Sequence, residues 1–314
     1  MNAPAKLGAY GLGLVVIFSA ALGVGGAVGA VGPSPAGDGH AAHAPSLPAR
    51  PAAQVVPAGL QVSQDGYTFT PETTTFTPGE PATFRFTVTG PDGRPVTRYQ
   101  VAHEKKLHFI VVNRDLGGFQ HLHPTEAGGG VWSVPLTLPR AGTYRAFADF
   151  VPEGGQGLTL GTDLFAPGDH TPQPLPPAVR TAEADGYTVK LDGELTPGTS
   201  SRLTLTVSRD GAPVTDLEPY LGAYGHLVAL RAGDLAYLHV HPNGAPGDGT
   251  TRPGPAIVFE AEVPSRGDYR LFLDFQHGGT VHTAAFTLRA VPPPAGTTPA
   301  GTTPAEPDHE HGGH

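Results

Sequence analysis

The sequence contains no cysteine, and its one methionine is the first residue. The chain therefore forms no disulfide, thiol nucleophile, iron–sulfur cluster, lipoprotein anchor or cysteine-ligated zinc or blue-copper site. Soft ligands for Cu(I) are missing as well. Charged residues are scarce at 15%, with 19 basic against 28 acidic side chains and a formal net charge of −9. This balance offers no basic surface for nucleic acid.

Two residue types are abundant, and a third is unevenly distributed. Gly 44 and Pro 35 approach the range of low-complexity chains. Hydrophobic residues nevertheless make up 39%, with 14 Phe and 9 Tyr, which is enough for ordinary hydrophobic cores. A length of 314 residues favours two domains. The third type is histidine, with 15 residues gathered at a few places.

The first long uncharged segment lies at the N-terminus. From Leu7 to Gly32 there are 26 residues without a charge, preceded by Lys6. This length suffices to cross a bilayer of about 30 Å and exceeds the apolar part of a signal peptide. We predict a membrane anchor with the rest of the chain outside the cytoplasm. A signal peptide cleaved near Ala30, giving a secreted protein, is the alternative.

The middle of the chain repeats itself. The letters DGYT occur at 65–68 and again at 185–188. A constant offset of 118 residues then relates His108, His121 and His123 to His226, His239 and His241. After a seven-residue insertion in the loop following Pro242, the offset becomes 125, so that GTYRAFADF matches GDYRLFLDF. A register kept over so many positions indicates a duplicated domain.

Each copy reads as an all-β domain. Short apolar or alternating runs such as ATFRFTVTG, LHFIVV and YRLFLDF are bounded by Gly, Pro, Asn and Asp. We predict two tandem immunoglobulin- or cupredoxin-like β-sandwiches after an N-terminal transmembrane helix. The predicted segments are a membrane anchor or signal (1–32), a disordered Pro/Ala linker (33–57), copy one (58–171), a linker (172–179), copy two (180–290) and a disordered His-containing tail (291–314).

The histidines form the same pattern in both copies. One histidine lies on one strand (His108, His226), and a His-x-His pair lies on the next (His121 and His123, His239 and His241). Alternation places both rings of a His-x-His pair on one face. A tight two-residue hairpin would bring His108 opposite His121, and His226 opposite His239. Three converging imidazoles in each copy predict a zinc or copper site with an open position.

Further candidate ligands lie near the ends of later strands. The predicted metal site residues are His108, His121, His123, Asp149, His226, His239, His241, Asp274, His277 and His282. The two aspartates close the YRxFxDF segments, where each could be a fourth ligand or accept a hydrogen bond from an imidazole N–H. The competing interpretation is a structural cluster of packed, hydrogen-bonded histidines, with the aspartates bonding turns.

Three segments carry a resemblance to a known group of proteins. HEKKLHFIVVNRDLGGFQHLHP, WSVPLTLPRAGTYRAFADF and LTLGTDLFAPG resemble exported bacterial proteins with a YtkA-like, immunoglobulin-type β-sandwich. The resemblance covers most of copy one and the HxHP core of copy two. It implies a membrane-tethered, non-enzymatic module that handles copper or another heavy metal. Carried over residue by residue, it implies His108, His121 and His123 as ligands, with Asp149 as a further candidate.

The leading hypothesis is a membrane-tethered extracytoplasmic protein that binds or delivers a divalent metal. Cu(II) is expected before Zn(II), and a metal-transport or copper-resistance protein is a possible partner. The sequence HLHPTE resembles a cupin motif and leaves a metal enzyme as one alternative, although its Glu comes one residue early and HVHPNG has none. The other alternative is a cell-surface structural or adhesion pair of sandwiches with structural histidines.

Overall fold

The computed structural model describes residues 56–238 and 240–292. The predictions for the anchor, the first linker, most of the tail and His239 fall on residues outside this part. The described residues contain strands, turns and irregular segments and no helix. No helix in these two ranges has the length and apolar character that crossing a membrane requires. The all-β part of the predicted fold class is confirmed.

Copy one is a sandwich of two antiparallel sheets. One sheet has the order β1-β2-β3-β8-β7, and the other has the order β10-β9-β5-β6 with β4 beside β9. The strands are β1 (Ser63–Gln64), β2 (Tyr67–Pro71), β3 (Ala82–Thr89), β4 (Tyr99–Gln100), β5 (Leu107–Asn113), β6 (Gln120–Leu122), β7 (Thr125–Gly128), β8 (Val131–Leu136), β9 (Gly142–Pro152) and β10 (Leu158–Ala166).

Copy two repeats this plan. Its sheets have the orders β11-β12-β13-β18-β17, with β14 beside β13, and β16-β15-β19-β20. The strands are β11 (Thr181–Ala184), β12 (Tyr187–Asp192), β13 (Ser200–Arg209), β14 (Ala212–Pro213), β15 (His226–Arg231), β16 (Tyr237–Leu238), β17 (Val240–Pro242), β18 (Ala256–Glu262), β19 (Gly267–His277) and β20 (Thr280–Ala290).

Each sandwich has its own core, filled by alternate residues of its strands. In copy one, Phe109 and Val111 of β5 pack with Phe84 and Phe86 of β3. In copy two, the corresponding part of the core includes Leu227 and Ala229 of β15 and Phe259 of β18. The inward period-two pattern is what a strand with one face on a core requires.

A third apolar cluster joins the two copies. Ile110 and Val112 point away from the core of copy one and pack in one cluster with Val228 and Leu230 of copy two. All four side chains are fully buried. In the same interface the ring of Phe119 stacks on that of Phe272, with centroids 4.0 Å apart and planes 6° from parallel. The sheet containing β5 is therefore covered on both faces, which explains its unbroken apolar sequence.

The two histidine-bearing hairpins differ from the predicted register by two residues. Ile110 pairs with His121 on β6, so His108 takes the position opposite His123. In copy two, Leu230 pairs with Tyr237, which shifts the register of β15 and β16 in the same sense. The connections run from 114 to 119 and from 232 to 236 and are longer than the predicted two-residue turns. A shift of two keeps the same side chains on the same face.

Candidate metal centre

Three histidines of copy one converge where β5 and β6 meet copy two. His108 lies near the start of β5, His121 lies on β6, and His123 follows that strand. One ring nitrogen from each lies within 4.8 Å of the other two. Within the described residues, these are the only three His, Cys, Asp or Glu residues grouped closely enough for a shared ion. We call them the triad.

Hydrogen bonds fix the proton positions on two of the three rings. The Nε2 of His108 lies 3.1 Å from the carbonyl oxygen of Ala102, which can only accept, so His108 donates from Nε2. The Nδ1 of His121 lies 2.8 Å from a carboxylate oxygen of Asp274 and donates to it. With these protons in place, a neutral imidazole at each position has its lone pair on the other nitrogen, Nδ1 in His108 and Nε2 in His121.

Those two lone pairs face each other. The Nδ1 of His108 and the Nε2 of His121 are 3.2 Å apart. Two acceptors at this distance repel unless a cation lies between them, either a shared proton or a metal ion. Two nitrogens bound to one tetrahedral zinc, each at about 2.0–2.1 Å, are about 3.3 Å from each other. The observed spacing suits such a pair of ligands.

The third ring completes the arrangement. The Nε2 of His123 is buried and has no hydrogen-bond partner. Its ring centroid lies 5.2 Å from that of His108 and 5.0 Å from that of His121. A buried imidazole nitrogen without a partner is uncommon in native proteins, because leaving it unsatisfied costs free energy. A bound cation would satisfy it.

Copy two supplies the partner that orients His121. Asp274 lies on β19, and its second carboxylate oxygen accepts a hydrogen bond from Thr283 at 2.6 Å. The side chains of His121 and Asp274 are each 3% exposed. The sequence predicted Asp274 beside the histidines of its own copy; Asp274 pairs in register with His226 of that copy, and its carboxylate also bonds His121 of copy one. Such a carboxylate fixes the tautomer of a metal-ligating histidine and makes its other nitrogen a better ligand.

Asp149 occupies the equivalent position in copy one. It pairs in register with His108 on the neighbouring strand and accepts a hydrogen bond from Thr159 at 2.9 Å. It is not in the group of potential ligands around the triad. Asp149 and Asp274 therefore share one environment, a strand position beside a histidine with a threonine donor on the next strand.

Two further histidines, His103 and His226, lie next to the triad. The ring of His226, from copy two, stacks on His108 at 5.5 Å and lies 5.2 Å from His121. Its Nδ1 is buried without a hydrogen-bond partner. His103 is exposed, and its ring lies 5.2 Å from His226 and 6.0 Å from His108. We call the triad together with His103 and His226 the histidine cluster.

Burial favours the neutral form of three rings of the cluster, those of His108, His123 and His226. Burial, assisted by the charge of His121, lowers the pKa of His108 to about 4. Burial and the neighbouring His121 and His108 lower the pKa of His123 to about 3. Burial also holds the pKa of His226 well below its usual value. Neutral imidazole is the form that binds metals, so these rings are ready to ligate at neutral pH.

Among its described residues, copy two has no group equivalent to the triad. His241 is exposed and lies on β17 at the edge of the other sheet, paired in register with Glu260. In copy two the chain enters that sheet at Val240, the first residue of β17. In copy one it enters the equivalent sheet only at Thr125, the first residue of β7. His241 is thereby drawn away from the position that His123 holds. The structure thus does not bring His241 together with His226 as the sequence predicted, and His239 lies outside the described residues.

His277 and His282 lie apart from the cluster and engage partners of their own. The Nδ1 of His277 lies 2.7 Å from the hydroxyl of Tyr187, and its Nε2 lies 3.2 Å from Asp216. The buried His282 bonds Asp185 at 2.9 Å. Their prediction as ligands beside His226 does not match these positions, because β19 and β20 carry them to a different part of copy two.

His103 belongs to the cluster but is not among the site residues predicted from the sequence. The duplication could have pointed to it, because His103 stands where copy two has Leu221, and the neighbouring residues align at the 118-residue offset. Thr159 and Thr283 were also missed. Their signal was weak, since threonine is common in strands for other reasons.

One family model matches the chain twice, over residues 61–162 and 182–292. The chain belongs to this family. It is described as a domain of unknown function, DUF8832. The two matches agree with the duplication inferred from the sequence. The resemblance to YtkA-like metal-binding proteins is not confirmed, and no curated protein matches the chain.

Solved structures similar to this DUF8832 protein include bacterial surface proteins. The adhesin FdeC of Escherichia coli is 16% identical with a TM-score of 0.25, over 73% of this chain and 65% of that one. The Yersinia pseudotuberculosis adhesin InvE is 12% identical with a TM-score of 0.22, over 73% and 60%. Invasin, a bacterial integrin-binding protein, is 13% identical with a TM-score of 0.23, over 74% and 41%. This chain thus spans less than two thirds of each structure, and TM-scores this low carry no argument about function.

Proposed function

We propose that this protein is an extracytoplasmic, non-enzymatic metal-binding protein and that the triad holds one divalent transition-metal ion. The observation that carries the proposal is the pair of facing ring nitrogens, the Nδ1 of His108 and the Nε2 of His121, which are 3.2 Å apart. The unpartnered Nε2 of His123 adds a third donor. Three imidazoles that leave a fourth position open are a common ligand set for zinc.

The donor set narrows the choice of metal. Imidazole nitrogens suit zinc, copper, iron and nickel, and the absence of thiolate and thioether ligands argues against Cu(I). Among divalent ions, Cu(II) binds nitrogen sites most tightly in the usual affinity order, with Zn(II) below it. Cu(II) is therefore the first candidate and Zn(II) the second. The uncharged N-terminal stretch supports a location at the cell membrane and outside the cytoplasm.

Metal titration of residues 58–290 tests the proposal, because this segment lacks the histidines of the N- and C-terminal segments. We expect about one equivalent of Cu(II) or Zn(II) to bind, instead of the two equivalents that independent sites in each copy would give. His121→Ala should abolish this binding, since the variant loses a ligand and the link to Asp274.

His241→Ala is the matched control. It removes the second histidine of the His-x-His pair in copy two, which lies on β17. Calorimetry should show unchanged binding in this variant. If the unmodified segment binds no metal, or if His121→Ala binds as well as the parent, the triad is not a metal site.

The second candidate is a cell-surface structural or adhesion protein in which the cluster only joins the two sandwiches. The contacts of His121 with Asp274 and His108 also fit this second candidate if a shared proton, and not a metal ion, lies between His108 and His121. His121 would then be an imidazolium ion that donates to Asp274 from one nitrogen and to His108 from the other. Nitrogen NMR of metal-free protein at pH 7 would distinguish the two, since a doubly protonated His121 ring supports this candidate.

A further inference from the structure

A two-residue turn next to the triad occurs in both copies with different residues. In copy one, Ala102 and Lys105 exchange two backbone hydrogen bonds around His103 and Glu104. In copy two, Tyr220 and Ala223 do the same around Leu221 and Gly222. The two turns are 118 residues apart, as the duplication requires.

Both turns need two left-handed residues in succession. The φ angles are 49° and 62° at His103 and Glu104, and 56° and 79° at Leu221 and Gly222. A turn with two positive φ angles favours glycine or asparagine, as in type I′ hairpins. Copy two meets this demand with Gly222, whereas copy one has non-glycine residues at both positions. Strained positions of this kind persist at functional sites when the surroundings hold them in place.

The strained turn of copy one is part of the histidine cluster. The carbonyl oxygen of Ala102, the residue just before the turn, accepts a hydrogen bond from the Nε2 of His108. The ring of His103 lies 5.2 Å from that of His226, which in turn stacks on His108. Two imidazoles bound to one ion through nitrogen have ring centroids roughly 5 Å apart. The centroid distance between His103 and His226 lies in this range.

The members of the histidine cluster differ in solvent exposure, and so do the two turns. His108 is 4% exposed, and the side chain of His121 is 3% exposed. The Nε2 of His123 is buried too, although the residue as a whole is half-buried. His103 is exposed, whereas its counterpart Leu221 is 2% exposed and packs inward. Of the two turns, only that of copy one therefore places an exposed imidazole next to the rings of His108 and His226.

We propose that His103 and His226 form an entry position through which the metal ion passes to and from the buried triad. This inference rests on the proposed function of the triad. His103 takes the hydrated ion at the surface, and the Nδ1 of His226, which has no hydrogen-bond partner, receives it beside His108. Each transfer exchanges one imidazole for another, so the ion is never left without ligands.

Metal exchange kinetics test the proposal in the full chain, with the tail residues His309, His311 and His314 changed to alanine in every variant. His103→Leu gives copy one the residue that copy two has at this position. We expect uptake of Cu(II) or Zn(II), and its release to an excess of chromophoric chelator, to become roughly tenfold slower in both directions. The dissociation constant should stay nearly unchanged, because an entry position lowers the barrier without adding a ligand to the bound state.

Two further variants keep the test specific. His103→Asn removes the imidazole with a residue that tolerates the left-handed conformation, and it should slow exchange as His103→Leu does. Glu104→Gly copies the other residue of the copy-two turn, retains His103, and should leave both rates unchanged.

Three results would overturn the proposal. Unchanged rates in both His103 variants would leave the triad as a metal site and remove the entry position. Faster release with weaker affinity would make His103 a ligand of the resting site. If the parent protein takes up no metal, the proposed function fails and the entry position fails with it.

Discussion

His121 makes contacts on both sides of its ring, and its role depends on both. Its Nδ1 donates to Asp274 of copy two, and its Nε2 faces His108 of copy one. The carboxylate fixes which nitrogen of His121 carries the proton and leaves the other for a ligand. A site built within copy one is therefore completed by a residue 153 positions further along the chain.

Asp274→Asn should lower the affinity for Cu(II) or Zn(II) by roughly 10–100-fold without unfolding the protein. Asparagine has the same shape and can accept from His121 through its oxygen while its amide group faces Thr283. It loses the negative charge that strengthens His121 as a ligand. Competition against a chelator of known affinity would measure the change.

Asp216→Asn is the control for that substitution. Asp216 is exposed and pairs with His277, so it forms a His–Asp pair away from the cluster. The metal affinity of the Asp216→Asn variant should equal that of the parent protein. An Asp274→Asn variant with unchanged affinity would show that the hydrogen bond to His121 only holds the copies together.

At the level of single residues, the sequence predicted most of the cluster for a sound physical reason. Period-two alternation places His121 and His123 on one side of the strand whatever the details of the turn. The partner of Asp274 could not be predicted in the same way, because reasoning within one repeat pairs each residue with neighbours in its own copy. The contact between copies depends on the packing of two complete sheets.

At the scale of elements, strands β5 and β15 are covered on both faces. Phe109 and Val111 face the core of copy one, while Ile110 and Val112 face copy two. Burying a large apolar side chain stabilises a protein by about 1.5–3 kcal/mol, so the interface contributes to stability as a core does. The two copies behave as parts of one folded unit for this reason.

Phe272→Ala should destabilise the protein by about 3–5 kcal/mol, the usual cost of removing a buried phenylalanine ring. Phe272 is 4% exposed and stacks on Phe119 across the interface. Urea unfolding followed by fluorescence or circular dichroism would measure the loss. Phe165→Ala is the control, since Phe165 is 46% exposed and its truncation should change stability by less than about 0.5 kcal/mol. Equal effects of the two substitutions would contradict an interface that contributes to stability.

The hairpin register shows where turn chemistry misled the prediction. The connections after β5 and β15 contain Leu116 and Leu235, both with positive φ angles. Leucine is not a turn-forming residue, so neither position is recognisable in the sequence. Both side chains are buried in the cluster between the copies, which explains why the chain adopts this conformation. Tertiary packing decided the register, and the local sequence signal did not.

At the scale of the whole molecule, duplication produced two similar sandwiches that have come to contribute differently to one site. Copy one provides the triad and the exposed His103, and copy two provides Asp274 and His226. The insertion after Pro242 and the early start of β17 accompany the loss of a matching position for His241. Both domains are thus needed to form the cluster, and a single copy would lack part of it.

The metal-free protein should lose stability as the pH falls from 7.5 to 5.0. The pKa of His108 in the folded protein is about 4 and that of His123 is about 3, because both rings are buried. In the unfolded chain both pKa values return to about 6.5. Above pH 6.5 both states are neutral and pH has no effect through these residues. Below it the unfolded state binds protons that the folded state does not, so the free energy of unfolding falls by up to about 1.4 kcal/mol per pH unit for each histidine.

Urea unfolding at pH 7.5, 6.0 and 5.0 would measure this loss. These pH values lie above the range in which most carboxylates titrate. His123→Gln should reduce the slope, because it removes one of the titrating rings. A flat profile in the parent protein, or an equal slope in the variant, would show that the cluster is not held neutral.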